Sequence, residues 1–165
     1  MKEDSVVAIY PGSFDPITLG HEDIARRTLR IVDRLVIAVA HTATHSKKPL
    51  FSVEERLDLL TDVFSDEPQI ECVAFEGLMV DYARNRGAHF VIRGLRAVSD
   101  FEYEFQLAQM NRELWGEVET LFLTPDAHYS FLSASLVREV ASLGGDVANF
   151  VSPKVLQSLK RKFST

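Results

Sequence analysis

The sequence predicts an α/β fold built on a doubly wound, five-stranded parallel sheet. Three observations carry that prediction. Short apolar runs alternate with helix-patterned segments five times along the chain. The runs are apolar almost throughout, as in strands covered on both faces. The chemically distinctive residues fall just after the runs, at what becomes one edge of the sheet. Right-handed crossovers between such strands place helices on both faces.

Ser5 to Tyr10 is nearly all apolar and reads as the first strand. Glu22 to Val32 has helical spacing, with Ile24, Thr28 and Ile31 on one face. Leu35 to Ala40 is a second strand. Ser52-Val53-Glu54-Glu55 is a capping box opening a helix whose stripe is Leu57, Leu60 and Phe64. Ile70 to Phe75 is the third strand, and Leu78 to Arg86 a short helix closed by Gly87. Ala88 to Ile92 is the fourth strand, Asp100 to Leu114 a long helix, and Val118 to Leu123 the fifth strand. Ser133 to Leu143 is helical and ends at Gly144-Gly145. Ser152-Pro153 starts the last helix with a cap and a first-turn proline. Lys160, Arg161 and Lys162 close it as a solvated, dipole-favoured end.

The 165 residues carry no internal repeat, low-complexity segment or linker, so residues 1–165 are read as one domain. A hydrophobic content of 46% and a charged content of 25% are those of a globular protein. No apolar run approaches the ~20 residues of a membrane span. No apolar stretch of signal length succeeds Met1-Lys2-Glu3-Asp4, so a cytoplasmic location is expected. The single cysteine, Cys72, excludes an internal disulfide and lies in an apolar run, as a buried thiol does. A net charge of −6 argues against broad nucleic-acid binding, which needs a basic surface. It leaves room for a local basic pocket.

Such a pocket is visible in the residues just after each strand. Ligands of these folds sit beyond the carboxyl ends of the strands, where strand order reverses. There the chain places Pro11 to His21, then His41 to Pro49, Glu76 to Met79, Arg93-Gly94-Leu95-Arg96, and Thr124 to Ser135. The cations are Lys47, Lys48, Arg93, Arg96 and Arg138; the hydroxyls are Ser13, Thr18, Ser130, Ser133 and Ser135. With helix amino termini added, these describe a polyanion site. The competing role for Arg93 and Arg96 is pairing with Asp100, Glu102 and Glu104. Gly94, between the two arginines, suggests close approach of backbone to a ligand.

Several chemistries are excluded by pattern. The chain has no GxxxxGK[ST] phosphate loop, no GxGxxG after the first strand and no GxSxG elbow. No cluster has structural zinc spacing, and His41 and His45 fall in a loop with no third ligand near. No residue is therefore assigned as a metal ligand. What remains is phosphate chemistry around one imidazole. Thr18 is placed to cap a helix, which puts His21 in its first turn, and Gly20 removes a side chain from the helix start. An imidazole held there can donate to a phosphate oxygen as charge grows in a transition state.

These residues resemble a known family. Thr18-Leu19-Gly20-His21 looks like the T/HxGH signature of the nucleotidyltransferases, and Ser133-Ala134-Ser135-Leu136-Val137-Arg138 resembles their second, serine-rich signature. Tyr10-Pro11-Gly12-Ser13-Phe14-Asp15-Pro16, Ser46-Lys47-Lys48-Pro49, Ile92-Arg93-Gly94-Leu95-Arg96 and Asp100-Phe101-Glu102-Tyr103-Glu104 resemble the bacterial phosphopantetheine adenylyltransferases. The resemblance runs from the first strand to the last helix.

It implies a Rossmann-like nucleotidyltransferase fold and transfer of AMP from ATP to 4′-phosphopantetheine. The products are dephospho-CoA and pyrophosphate, with Mg²⁺ as cofactor, in the penultimate step of coenzyme A synthesis. By resemblance His21, Lys47 and Arg93 are catalytic, and Ser13, Lys47, Met79 and Arg93 bind the pantetheine substrate. Ser13, Phe14, His21, Gly94, Leu95, Arg96 and Glu104 meet the nucleotide, as do Tyr129, Ser130, Phe131, Leu132, Ser133, Ala134 and Ser135. A homohexamer and inhibition by CoA are further implications, with no nucleic-acid or membrane partner.

Three departures stand out. Ser13 replaces a common threonine, Ala134 replaces a hydroxyl, and the loop before Lys47 is slightly long. Lys47 is preferred over Lys48 as the phosphate ligand. A related cytidylyltransferase or nicotinamide mononucleotide adenylyltransferase is the alternative enzyme. A nucleotide-binding regulator without turnover is the alternative of a different class.

Overall fold

The computed structural model of the chain describes residues 5–41, 48–96 and 98–164. The elements alternate as β1 (Val7–Gly12), α1 (Leu19–Thr28), β2 (Arg34–Ala40), α2 (Val53–Val63), β3 (Ile70–Phe75), α3 (Met79–Asn85), β4 (Phe90–Gly94), α4 (Val98–Leu114), β5 (Glu119–Leu123), α5 (Ala134–Ser142) and α6 (Pro153–Phe163). A 3-10 turn, Ala127–Tyr129, lies between β5 and α5. The five strands are parallel in the order β3-β2-β1-β4-β5. Winding therefore reverses between β1 and β4, and a crevice opens beyond their carboxyl ends.

Alternation along the strands divides the core. Ala8, Tyr10, Leu35, Ile37, Val39 and Ile92 pack with residues of α1, α2, α5 and α6, among them Ile24, Leu60, Val137 and Leu159. Ile9, Val36 and Ala38 turn to the other face, against Ala83 of α3. Full burial of a side chain such as Ile37 or Leu60 contributes roughly 1.5–3 kcal/mol. The long helix α4 leaves Phe101, Tyr103, Phe105, Met110 and Leu114 exposed. Among the described residues no helix is long and apolar enough to cross a membrane. Cys72 is half-buried, and burial pushes its thiol up to about 11.

Local signals are met where they were strongest. Ser52 caps α2, accepting from the Glu55 amide at 3.1 Å while Glu55 accepts from the Ser52 amide at 2.8 Å. Ser152 caps α6 ahead of Pro153, and Gly87 follows α3 with φ +62°.

Boundaries differ where long-range pairing decides them. The first helix is Leu19–Thr28, not Glu22–Val32. Ile31 lies beyond its end and is 57% exposed, outside the buried stripe. β1 extends through Pro11 and Gly12 because they pair with Ala38 and Val39 of β2. The fourth strand is Phe90–Gly94, not Ala88–Ile92, because Arg93 and Gly94 pair with Phe122 and Leu123. Lys162 is not simply solvated: it lies 2.8 Å from the Glu55 carboxylate and sits over the Phe51 ring.

Candidate active site

At the end of β1 the chain turns sharply. Phe14 takes φ +47°, a left-handed conformation that costs a non-glycine residue about 1–3 kcal/mol. Its ring meets Tyr10 and His21 edge-on, each with centroids 5.2 Å apart. Gly12 makes room for that ring: a Cβ there would lie 3.0 Å from Phe14 Cε2. The Asp15 carboxylate is buried and accepts the amides of Leu50 at 2.9 Å and Phe51 at 2.8 Å. It thereby pins the entry to α2 against this turn.

Thr18 caps α1, and His21 occupies the third position of the helix. The Thr18 amide donates to His21 Nδ1 at 3.1 Å. Because Nδ1 accepts, the ring proton belongs on Nε2. Burial, reinforced by the positive charges of Arg96 and Arg93, lowers the His21 pKa to about 4. The imidazole is neutral at physiological pH, with Nε2–H as its remaining donor.

The residues around His21 enclose a cleft of about 650 Å³. β1 and its turn contribute Tyr10 to Asp15, and α1 contributes Thr18, Gly20, His21 and Ile24. The end of β4 contributes Arg93, Gly94 and Arg96, and α4 contributes Asp100, Tyr103 and Glu104. The far wall is Pro125, Tyr129, Leu132, Ser133, Ala134, Ser135 and Arg138, with His41, Pro49 and Arg56 completing the lining. The amino termini of α1 and α5 both reach the cleft, and their dipoles favour an anion there. Four arginines face three carboxylates, so the lining is cationic inside an acidic chain.

Both central arginines are paired, the role set against anion binding in the sequence. Arg93 donates to Glu104 from Nε at 2.7 Å and Nη2 at 2.5 Å, and from Nη1 to the Pro11 carbonyl at 3.1 Å. Burial alone would lower the Arg93 pKa; the bonds and charge of Glu104 outweigh it and hold it above its ordinary value. Arg96 lies 3.3 Å from Asp100 and donates to the Leu132 carbonyl at 3.0 Å. These carboxylates orient the guanidinium groups at the cleft wall.

A cytidylyltransferase-like family matches residues 9–140. A phosphopantetheine adenylyltransferase of Alkalilimnicola ehrlichii is 55% identical over 97% of this chain and 92% of its own length. One of Aromatoleum aromaticum is 52% identical over 99% and 98%. The chain belongs to the phosphopantetheine adenylyltransferase family. Among solved structures, Plasmodium falciparum nicotinic acid mononucleotide adenylyltransferase complexed with NaAD superposes with a TM-score of 0.68. It covers 97% of this chain and 96% of that one at 14% identity, a likeness of fold.

Of the positions carried over from the family, Ser13, Phe14, His21, Arg93, Gly94, Arg96, Glu104, Tyr129, Leu132, Ser133, Ala134 and Ser135 line the cleft together. Met79, Leu95, Ser130 and Phe131 do not. Met79 packs beside Val80, Val91 and Val118 beneath the other sheet face. The Leu95 amide donates to the Leu123 carbonyl, and Phe131 is exposed with its edge on Phe150. Lys47 lies outside the described residues, as does His45; Lys48 is exposed and does not itself line the cleft, although its neighbour Pro49 does.

Gly94 has a packing reason: a Cβ there would stand 2.6 Å from Ile24 Cδ1. Gly20 has none, since its Cβ would meet Tyr129 at an ordinary 3.5 Å. Arg138, a candidate ligand cation in the sequence, donates instead to the Asp15 carbonyl and lies 3.6 Å from the Asp15 carboxylate.

Sequence reasoning missed Arg56 and Tyr103 as lining residues, and it placed Asp15 in the loop after the first strand without giving it a role. A signal existed for Arg56, which stands four and eight residues before Leu60 and Phe64 and so shares their buried stripe. No local pattern announces the partners of Asp15, thirty-five residues away.

Proposed function

We propose that this protein transfers AMP from ATP to 4′-phosphopantetheine, giving dephospho-CoA and pyrophosphate in the penultimate step of coenzyme A synthesis. The observation that carries the reading is the His21 imidazole, its Nδ1 tied to the Thr18 amide, set among arginines in the cleft at the β1/β4 reversal. Relatives of near-equal length bearing the phosphopantetheine name favour it over the cytidylyl and nicotinamide alternatives.

The chemistry needs little from the chain beyond placement and charge. A phosphate oxygen of 4′-phosphopantetheine is already anionic, so it attacks the α-phosphorus of ATP without a base. The bond from the α-phosphorus to the pyrophosphate oxygen breaks in line, and pyrophosphate leaves. His21 Nε2–H donates to a non-bridging α-phosphate oxygen as negative charge concentrates there. Ser13, Phe14, Arg96 and the wall of Tyr129, Leu132, Ser133, Ala134 and Ser135 hold the nucleotide; Arg93, with Lys47, holds the pantetheine phosphate.

Mg²⁺ belongs to this proposal as a companion of the triphosphate. Among the described residues no three His, Cys, Asp or Glu side chains are grouped to hold an ion. Asp15 and Glu104 are committed to amide and guanidinium donors, and Asp100 lies beside Arg96. That donor set fits an ion carried by substrate phosphate oxygens and water, where Mg²⁺ commonly resides. Bound so, it neutralises triphosphate charge.

A cytoplasmic location and a homohexamer complete the reading. The exposed apolar side chains of α4 support assembly. CoA, which shares the pantetheine arm with the product, is expected to compete for the cleft. Incubation with ATP and 4′-phosphopantetheine, with mass-resolved detection, is expected to give dephospho-CoA and pyrophosphate. Equal or faster pyrophosphate release with CTP, or with nicotinamide mononucleotide as acceptor, would overturn the assignment.

A further inference from the structure

Arg56 stands apart from the other cleft arginines. It is 3% exposed, and no carboxylate of the described residues lies within ion-pair distance. Its neighbours in α2 include the buried Leu59 and Leu60. A buried guanidinium without a counter-charge costs several kcal/mol, and a leucine would fill the space at less cost. Its donors go instead to two main-chain oxygens. Nε reaches the Ser52 carbonyl at 3.3 Å, one helical turn back, and Nη1 reaches the Ser13 carbonyl at 2.7 Å.

The Ser13 carbonyl belongs to the peptide that leads into Phe14, whose φ is +47°. Such a conformation persists only where its surroundings over-determine it. Arg56 grips the turn before Phe14, and Arg138 of α5 grips it after, at the Asp15 carbonyl. Phe14 in turn meets the His21 ring edge-on. A chain of direct contacts thus runs from α2 through the turn to the imidazole.

We propose that Arg56 is a positioning residue for AMP transfer: by holding the Ser13 carbonyl it fixes the left-handed turn that presents Ser13 to the cleft and seats Phe14 against His21. The inference rests on the reaction assigned above. Arg56 stands at the cleft edge with its Nε and Nη1 donors on main-chain carbonyls, so it acts through Ser13, Phe14 and His21. Losing it lets the turn relax toward unstrained backbone and frees the imidazole from the Phe14 edge. Catalysis then falls while substrate contacts by Arg93 and Arg96 persist.

The test compares wild type, Arg56→Met and Arg56→Lys in pyrophosphate release from ATP and 4′-phosphopantetheine. It adds an NMR titration of the His21 ring in each protein without substrates. Arg56→Met is expected to lose about tenfold or more in kcat, with a smaller change in either KM, the larger of the two for ATP because Ser13 and Phe14 also meet the nucleotide. Its His21 titration is expected to move upward from about 4 toward 6.5, as the ring becomes better solvated. Arg56→Lys keeps the charge and most of the volume but serves one carbonyl at a time, so an intermediate kcat is expected.

A KM increase for one substrate with kcat intact would make Arg56 a ligand contact and overturn the proposal. So would an unchanged kcat, or a His21 titration identical in all proteins. If Arg56→Met does not fold, Arg56→Lys decides by the same two readouts. An inactive wild type would remove the assigned reaction, and the His21 titration would still decide whether Arg56 sets the imidazole.

Discussion

The Thr18 amide and His21 Nδ1 are 3.1 Å apart, with the amide as donor. That bond, within one turn of α1, fixes the ring's tautomer and its direction together. It uses an orphan amide at the helix start, so the arrangement that caps the helix also aims the imidazole. Nε2–H is left as the donor, and the ring lines the cleft.

His21→Ala therefore removes a donor that matters only when charge grows on the α-phosphate. The expected loss is at least ~100-fold in kcat, or ~2.7 kcal/mol, with ATP binding preserved. Steady-state rates paired with calorimetric ATP titration check this. A loss under about threefold would retire His21 from the chemistry.

The depressed pKa of His21 makes a prediction about pH. The imidazole titrates near 6.5 when unfolded and at about 4 when folded, because burial and then Arg96 and Arg93 disfavour the cation. Its contribution to stability is complete above 6.5 and is lost as pH falls toward 4. The rate is expected to show no inflection at 6.5, with any limb from this group displaced toward 4. Arg96→Ala is expected to move the His21 titration upward, which NMR of the ring can follow. An acid limb centred at 6.5 would mean that the ring is solvated and charged more readily than its surroundings imply.

What the sequence disclosed, and what it hid, divides by the range of the interactions. Thr18, His21, Ser52 and Ser152 announce themselves because their partners lie within three residues. The sheet was legible because β1 and β2 are apolar nearly throughout. The ends of β1 and β4 were misplaced by two residues because their last pairs are set by a neighbouring strand. Arg93 and Arg138 are plain as cations, but their direction depends on Glu104 and on Asp15, and the latter is 123 residues distant. Met79 falls, as predicted, at the start of the short third helix, but where the resemblance sets it beside the pantetheine arm it packs toward Val80 and Val91.

The Arg93–Glu104 pair gives a stability prediction separate from catalysis. The Glu104 side chain is only 11% exposed, so Arg93→Ala leaves a carboxylate with little access to water. Breaking such a pair from one side costs about 3–5 kcal/mol. The double substitution Arg93→Ala with Glu104→Ala is expected to recover part of that loss, while activity stays low because the guanidinium is gone. Chemical denaturation of the four proteins in the cycle measures the coupling. Additive losses would mean that the two groups are solvated independently.

Gly94 tests whether the cleft floor is set by packing or by a ligand. A Cβ at this position would stand 2.6 Å from Ile24 Cδ1, and Ile24 is buried one turn below His21. Gly94→Ala is thus expected to destabilise the protein by about 1 kcal/mol, at the low end for overpacking because Cδ1 is the movable end of its side chain. For a chain of this length that lowers Tm by about 2–4 °C. Ile24→Val removes the opposing methyl. Alone it costs about 0.5–1.5 kcal/mol, and combined with Gly94→Ala it is expected to cost less than the sum. Thermal unfolding of the single and double variants reads this directly. If the double variant regains stability but not rate, the floor of the cleft also meets the nucleotide; if both return, Gly94 serves the seating of α1 on β4.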